Sequence, residues 1–231
     1  MSARTNLYST IINPREALIY SDIGTTVQAY DATLQAISSL SLSDLLNDMN
    51  IKGLNLLGST IKAQSLGMQN TDQFTNANMV DGTIYWGAMY VPTDCTLSGI
   101  RWGQRVQGAY VSDNENRAGI YSISGGTMTQ IAATTNDGNL WKGTSQTMQS
   151  KAFSATVNVT AGIYFVALLY NTSLQTTAPN LNCLTTVQWL CNGDLSNSVK
   201  LFGTTTGTTL PASQAMSGVT GSSTAFYVQA Y

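Results

Sequence analysis

The chain has no histidine. That removes Ser-His-Asp and Cys-His triads, histidine metal sites and the commonest general acid–base group. Charge is scarce too. Ten Lys and Arg and twelve Asp and Glu make up 10% of 231 residues, against about 25% in ordinary soluble domains. Two of the acids are glutamates, Glu16 and Glu115, so a paired-carboxylate hydrolase would depend on aspartates far apart in sequence. The three cysteines, Cys95, Cys183 and Cys191, cannot close a disulfide framework. They read as free, buried thiols, with a Cys183–Cys191 link across a hairpin as the alternative. There is no CxxC, and the glycines form neither GxGxxG nor a Walker loop, so no metal and no cofactor is expected. No basic block is present, which argues against a nucleic-acid partner. No run approaches the roughly 20 apolar residues of a membrane span. The first residues lack the continuous apolar core of a secretory leader. The expectation is a protein made in the cytoplasm, without membrane insertion or general secretion.

What is present changes along the chain. Hydrophobic content is 43%, too high for a disordered polymer. From residue 118 onward the charged residues are Asp137, Lys142, Lys151, Asp194 and Lys200. Solubility there rests on Ser, Thr, Asn and Gln. Such a surface suits large assemblies, where charge repulsion between copies would cost stability.

Residues 1–24, with Asn13-Pro14, read as an extended attachment arm. Residues 25–73 read as a helical stalk and neck. Val27, Tyr30, Leu34 and Ile37 fall at spacings of three and four, among the helix formers Ala29, Ala32 and Ala36. That pattern fits a short coiled-coil seam, and equally an amphipathic helix packed on its own domain. Residues 50–80 are punctuated by Gly53, Gly58 and Gly67, as in an extended connector.

Residues 74–231 read as a β-sandwich head, jelly-roll-like. Strand signals recur at 84–91, 97–106, 108–111, 118–123, 128–133, 153–159, 163–170, 184–190, 199–202 and 225–231. Ser124-Gly125-Gly126-Thr127 predicts a hairpin turn. The Thr, Gly and Ser of 204–223 predict a long surface loop.

Candidate binding residues gather at three places. Asp113, Asn114 and Asn116 lie in the turn Ser112-Asp113-Asn114-Glu115-Asn116, with Tyr110 beside it. Their oxygens could hold Ca²⁺ or serve glycoside cleavage, but a polar turn accounts for them as well. Trp141 sits in a loop-like context, Asn136-Asp137-Gly138-Asn139-Leu140-Trp141-Lys142-Gly143, that predicts exposure. Tyr170 ends the strongest strand, next to Asn171-Thr172-Ser173. Aromatic faces with amide and hydroxyl neighbours are what a saccharide site needs. A packing or subunit-interface role for Trp141 is the competing reading.

The segment Gly24-Thr25-Thr26-Val27-Gln28-Ala29-Tyr30-Asp31-Ala32-Thr33-Leu34-Gln35-Ala36-Ile37 resembles a signature seen in tailed-bacteriophage tail proteins. Leu97-Ser98-Gly99-Ile100-Arg101, Arg117-Ala118-Gly119-Ile120-Tyr121 and Val159-Thr160-Ala161-Gly162-Ile163-Tyr164 resemble, in that order, β-sandwich modules of phage structural proteins. The resemblance to the phage fibre and spike family implies a homotrimer. Its arm would attach to other virion proteins, its seam (Val27, Tyr30, Leu34, Ile37) would form the stalk, and its heads would recognise a host-surface glycan. A structural head fibre or capsid decoration protein is the alternative. A secreted lectin and a depolymerase are more distant ones.

Overall fold

A computed structural model of the chain describes residues 60–65, 75–185 and 200–231. The chain divides into two units, Met1–Met49 and Asn50–Tyr231, and every described residue belongs to the second. The first half of the described strands are β1 (Ala63–Gln64), β2 (Thr75–Asn78), β3 (Thr83–Val91), β4 (Cys95–Val106), β5 (Ala109–Tyr110), β6 (Arg117–Ser124), β7 (Thr127–Ala133) and β8 (Thr147–Val159). They are followed by β9 (Gly162–Tyr170), β10 (Gln175–Thr177), β11 (Asn180–Thr185), β12 (Phe202–Thr206), β13 (Ser213–Ala215), β14 (Thr220–Gly221), β15 (Thr224–Phe226) and β16 (Val228–Ala230).

One hydrogen-bonded sheet runs β13-β7-β6-β9-β3-β1-β16-β4-β11-β15. Strand β8 lies on the other edge of β4, β12 on β3, β14 on β12 and β2 on β11. All these pairings are antiparallel. A bridge between Thr134 and Phe153 ties the chain just past β7 to β8, so the sheet curls until its arms meet. Strands β5 and β10 form a separate short ribbon.

Alternation explains the layering. In β3, Tyr85, Met89 and Val91 enter one core, whereas Ile84 and Trp86 enter a second. In β9, Val166, Leu168 and Tyr170 oppose Phe165, Ala167 and Leu169 in the same way. Successive side chains of a strand point to opposite faces, so a strand covered on both faces reads as an unbroken apolar run. The first core is shared with Leu97, Ile100 and Trp102 of β4 and Val228 and Ala230 of β16. Two layers thus face each other, as in a sandwich, yet they belong to one sheet joined through β1. The hairpin at Gly125 and Gly126 forms as expected. Both residues have positive φ, 56° and 77°, and Ser124 pairs with Thr127, the geometry a two-residue turn between twisted strands demands.

The expected architecture is corrected in two respects. The mainly-β class holds, but the helical stalk and its coiled coil have no support. Among the described residues there is no α-helix, and the helical element there is one 3₁₀ turn, Met216–Gly218. Of the stalk and neck at 25–73, the described stretch 60–65 contributes strand β1, in register with β16 at Ala63–Ala230 and Gln64–Gln229. Its partners lie far away in sequence, which no local pattern reveals. The seam residues Val27, Tyr30, Leu34 and Ile37, and Cys191, lie outside the described residues, and Cys183 is free, so the alternative Cys183–Cys191 link is not formed.

The second correction concerns 204–223, which is no plain surface loop. It carries the end of β12, then β13 and β14, and Leu210, Met216 and Val219 cover the second core. Tyr121 Oη donates to Pro211 O at 2.7 Å, and the Trp86 indole donates to Thr205 Oγ1 at 2.9 Å. Three apolar residues without periodicity among Thr, Gly and Ser give no strand or helix signal, although each finds a pocket in the folded chain.

Candidate functional site

The fold brings the sequence-predicted residues Tyr110, Asp113, Asn114, Asn116, Trp141 and Tyr170 into one neighbourhood, mostly as framework. The Tyr110 and Tyr170 rings meet edge-on with centroids 5.0 Å apart, as do those of Trp102 and Trp141. The Trp141 backbone N–H donates to Tyr110 Oη at 3.1 Å, and its indole N–H donates to Leu169 O at 2.8 Å. Tyr170 Oη donates to Gln175 Oε1 at 2.8 Å. The expected exposure of Trp141 is therefore corrected: its accessibility is 0%. A loop-like sequence context does not report what packs beneath the loop. A buried indole with its N–H satisfied offers no face to an external sugar. Tyr110 and Tyr170 are buried as well, and burial pushes the Tyr110 phenol up to about 12.

The polar turn spends its groups internally. The Asp113 carboxylate accepts from Ser173 N–H at 3.2 Å, and bonding to Ser173, through its side chain first and its backbone second, holds the Asp113 pKa below the ordinary value. Asn114 Nδ2 reaches Asn171 Oδ1 at 3.5 Å, and Glu115 Oε1 accepts from Leu210 N–H at 3.1 Å. Asn116 is fully buried. Its Oδ1 accepts from Asn171 N–H at 3.1 Å and its Nδ2 donates to Asn171 O at 2.9 Å. Among the described residues no group of three or more His, Cys, Asp or Glu side chains converges as a metal site would need. Cys183 is a free, buried thiol raised by burial to about 11.

Above this aromatic floor opens a shallow cleft of about 450 Å³. Trp102, Asp137, Asn139, Lys142, Gln149 and Lys151 are among its lining residues. Two pieces of chain build it. The 137–142 loop is a tight turn, with Asn139 N–H donating to Asp137 Oδ1 at 2.9 Å and Leu140 N–H to Asp137 O at 2.9 Å. Strand β8 supplies Gln149 and Lys151, because its register places Gln149 opposite Trp102 and Lys151 opposite Ile100. Lys151 Nζ donates to Asp137 Oδ2 at 2.6 Å. That bond holds Asp137 below the ordinary carboxylate range, so it is an acceptor at neutral pH and no proton donor. Ser112 Oγ donates to Asn139 Oδ1 at 2.9 Å, and Lys142 Nζ donates to Ser112 Oγ. Asp137, Asn139 and Lys142 stood in the loop singled out for its tryptophan. Gln149 and Lys151 carried no signal, since strand register set their place.

A second open groove, of about 520 Å³, is lined by Thr83, Thr204, Thr205, Thr206, Gln214 and Thr220, with Gly218. It has hydroxyls and an amide and no charged side chain.

No protein-family model matches the chain, and no curated protein matches it. The resemblance to stalked, trimeric phage fibres is accordingly corrected: no family match carries it, and no described residue forms the helix it implied.

Proposed function

We propose that the β unit is a non-catalytic recognition head on a virion surface, binding a host-surface glycan in the cleft between the 137–142 loop and β8. The observation that carries the reading is the pairing of a rigid floor with a polar lining. Trp102 and Trp141 are immobilised beneath, while Asn139, Lys142, Gln149 and the ionised Asp137 present donors and acceptors at the surface. The cleft's size falls within the range of small-ligand sites. The low charge of the chain supports presentation in many copies, and self-association, as a homotrimer for instance, would multiply weak contacts. The 1–24 arm is the proposed attachment to other virion proteins.

The test is a glycan-array screen of the purified full chain, followed by the Asn139→Ala/Gln149→Ala double variant. Loss of binding with unchanged thermal unfolding supports the cleft. Retained binding moves the site elsewhere, first to the threonine groove.

A structural decoration role is the second reading, and one observation favours it. Val80, Val111 and Leu174 are 60%, 44% and 65% exposed. They are drawn together by Val111 N–H donating to Leu174 O at 2.9 Å and by Thr172 N–H donating to Asp81 Oδ1 at 2.8 Å. Exposed apolar side chains suit packing on another protein. Particles lacking the chain would then lose heat tolerance but not adsorption.

A further inference from the structure

Lys142 indicates what kind of glycan the cleft takes, an inference that rests on the glycan reading above. The ammonium of Lys142 is held by two neutral groups. It donates to Ser112 Oγ and lies 4.7 Å from the centroid of the Tyr110 ring. Among the described residues the ion pairs are Arg117–Glu115 and Lys151–Asp137. The cleft's one carboxylate is thus already engaged by Lys151. The Asp113 carboxylate, next along the chain from Ser112, accepts from Ser173 N–H. Two ammonium groups against one carboxylate leave the lining with one positive charge in a chain whose net charge is −2. A neutral sugar would meet that cation with hydroxyls alone. An anionic group would give it a charge-assisted bond, shorter and roughly twice as strong as a neutral one. Stacking over Tyr110 also orders the long lysine side chain before any ligand arrives, which lowers the entropy lost on binding.

We propose that the cleft selects an acidic glycan, with Lys142 binding its carboxylate or sulfate and Asn139 and Gln149 facing its hydroxyls. The discriminating experiment prints glycans in matched pairs that differ in charge alone or nearly so: sialyllactose with the methyl ester of its sialic acid, and hexagalacturonate with its methyl ester. The best pair is then titrated with the full-length wild type, Lys142→Met and Lys142→Arg. The acidic member should bind about two- to fivefold tighter, as one added ion pair at a partly exposed site implies. Lys142→Met should abolish the preference, Lys142→Arg should keep most of it, and both should unfold at the wild-type temperature. Raising salt should weaken the acidic member alone. Equal binding of both members, or a preference that survives Lys142→Met, overturns the acidic assignment and leaves the glycan reading standing. Failure of every glycan in both series to bind overturns both.

Discussion

Asn116 holds both backbone groups of Asn171 with a single side chain, its Oδ1 accepting from the N–H at 3.1 Å and its Nδ2 donating to the C=O at 2.9 Å. The amide imitates a neighbouring strand just where β9 ends. It thereby fixes the turn before β6 against the end of β9 and sets Tyr110 beside Tyr170. Asn116→Ala should cost about 2–4 kcal/mol, because both peptide groups of Asn171 lose their partner in a buried setting. Asn116→Asp keeps the acceptor but buries a charge, so it should be the more damaging near neutral pH and less so in acid. Urea denaturation at two pH values checks both.

Trp141 should behave as core. Trp141→Ala should destabilise by about 3–5 kcal/mol, the range for emptying a large aromatic site. Trp141→Phe retains much of the packing against Trp102 but leaves Leu169 O without its donor, at about 1–3 kcal/mol. Thermal unfolding of the two variants would separate packing from hydrogen bonding. An unchanged midpoint for Trp141→Ala would mean that the indole does not occupy the core.

The unit's boundary can be tested by truncation. A chain beginning at residue 60 keeps β1; one beginning at residue 75 loses it. Without β1, Ala63 leaves the first core, and β3 and β16 lose the strand between them. Ser65 also bonds Phe226 O through its hydroxyl at 2.9 Å and Val228 O through its N–H at 2.8 Å. The shorter chain should unfold at lower urea and aggregate through the opened edges. Equal stability of the two would show β1 to be dispensable.

Alkali should unfold the protein through its tyrosines. Burial raises the phenols of Tyr110 and Tyr121 to about 12, whereas an unfolded tyrosine titrates near 10. Between those values the unfolded chain has lost protons that the folded chain retains, so stability falls as pH rises. Below about pH 10 the contribution is fully present. Tyrosinate absorbance should lag behind a free-tyrosine curve and then rise together with loss of β-type circular dichroism. Tyr121→Phe should shift that transition to higher pH, with a modest stability loss from the Pro211 carbonyl left unpaired.

At the acid end the effect is smaller. Asp137 has a depressed folded pKa because Lys151 bonds it, so its contribution is present above about pH 4 and lost as pH falls through the folded value. Both side chains are about one-third exposed. Asp137→Asn should therefore change stability by less than about 1 kcal/mol, while flattening the acid limb of the stability profile.

Much of the β architecture was legible in local pattern. The runs that became β3, β4, β6, β7 and β9 carry enough β-branched and aromatic residues to announce themselves, and the Gly125-Gly126 turn is dictated by backbone sterics alone. The turn at 112–116 reads correctly as a polar turn, because Asn and Asp bond nearby backbone whatever surrounds them. The threonine-rich stretch 204–223 misleads, since its few apolar residues have no period and are recruited by a surface elsewhere in the chain.

Sequence by itself determined the chemistry that is missing, the mainly-β class and the strands whose two faces are both apolar, because residue type and a period of two are local properties. Tertiary structure decided the rest. It turned Trp141 inward, because the face of β4 carrying Trp102 needed a partner. It inserted β1 between strands from opposite ends of the unit, because open sheet edges must be paired. And it set Gln149 and Lys151 beside the 137–142 loop through the register of β8 on β4, a cross-strand alignment that depends on packing between distant segments and leaves no mark on either one.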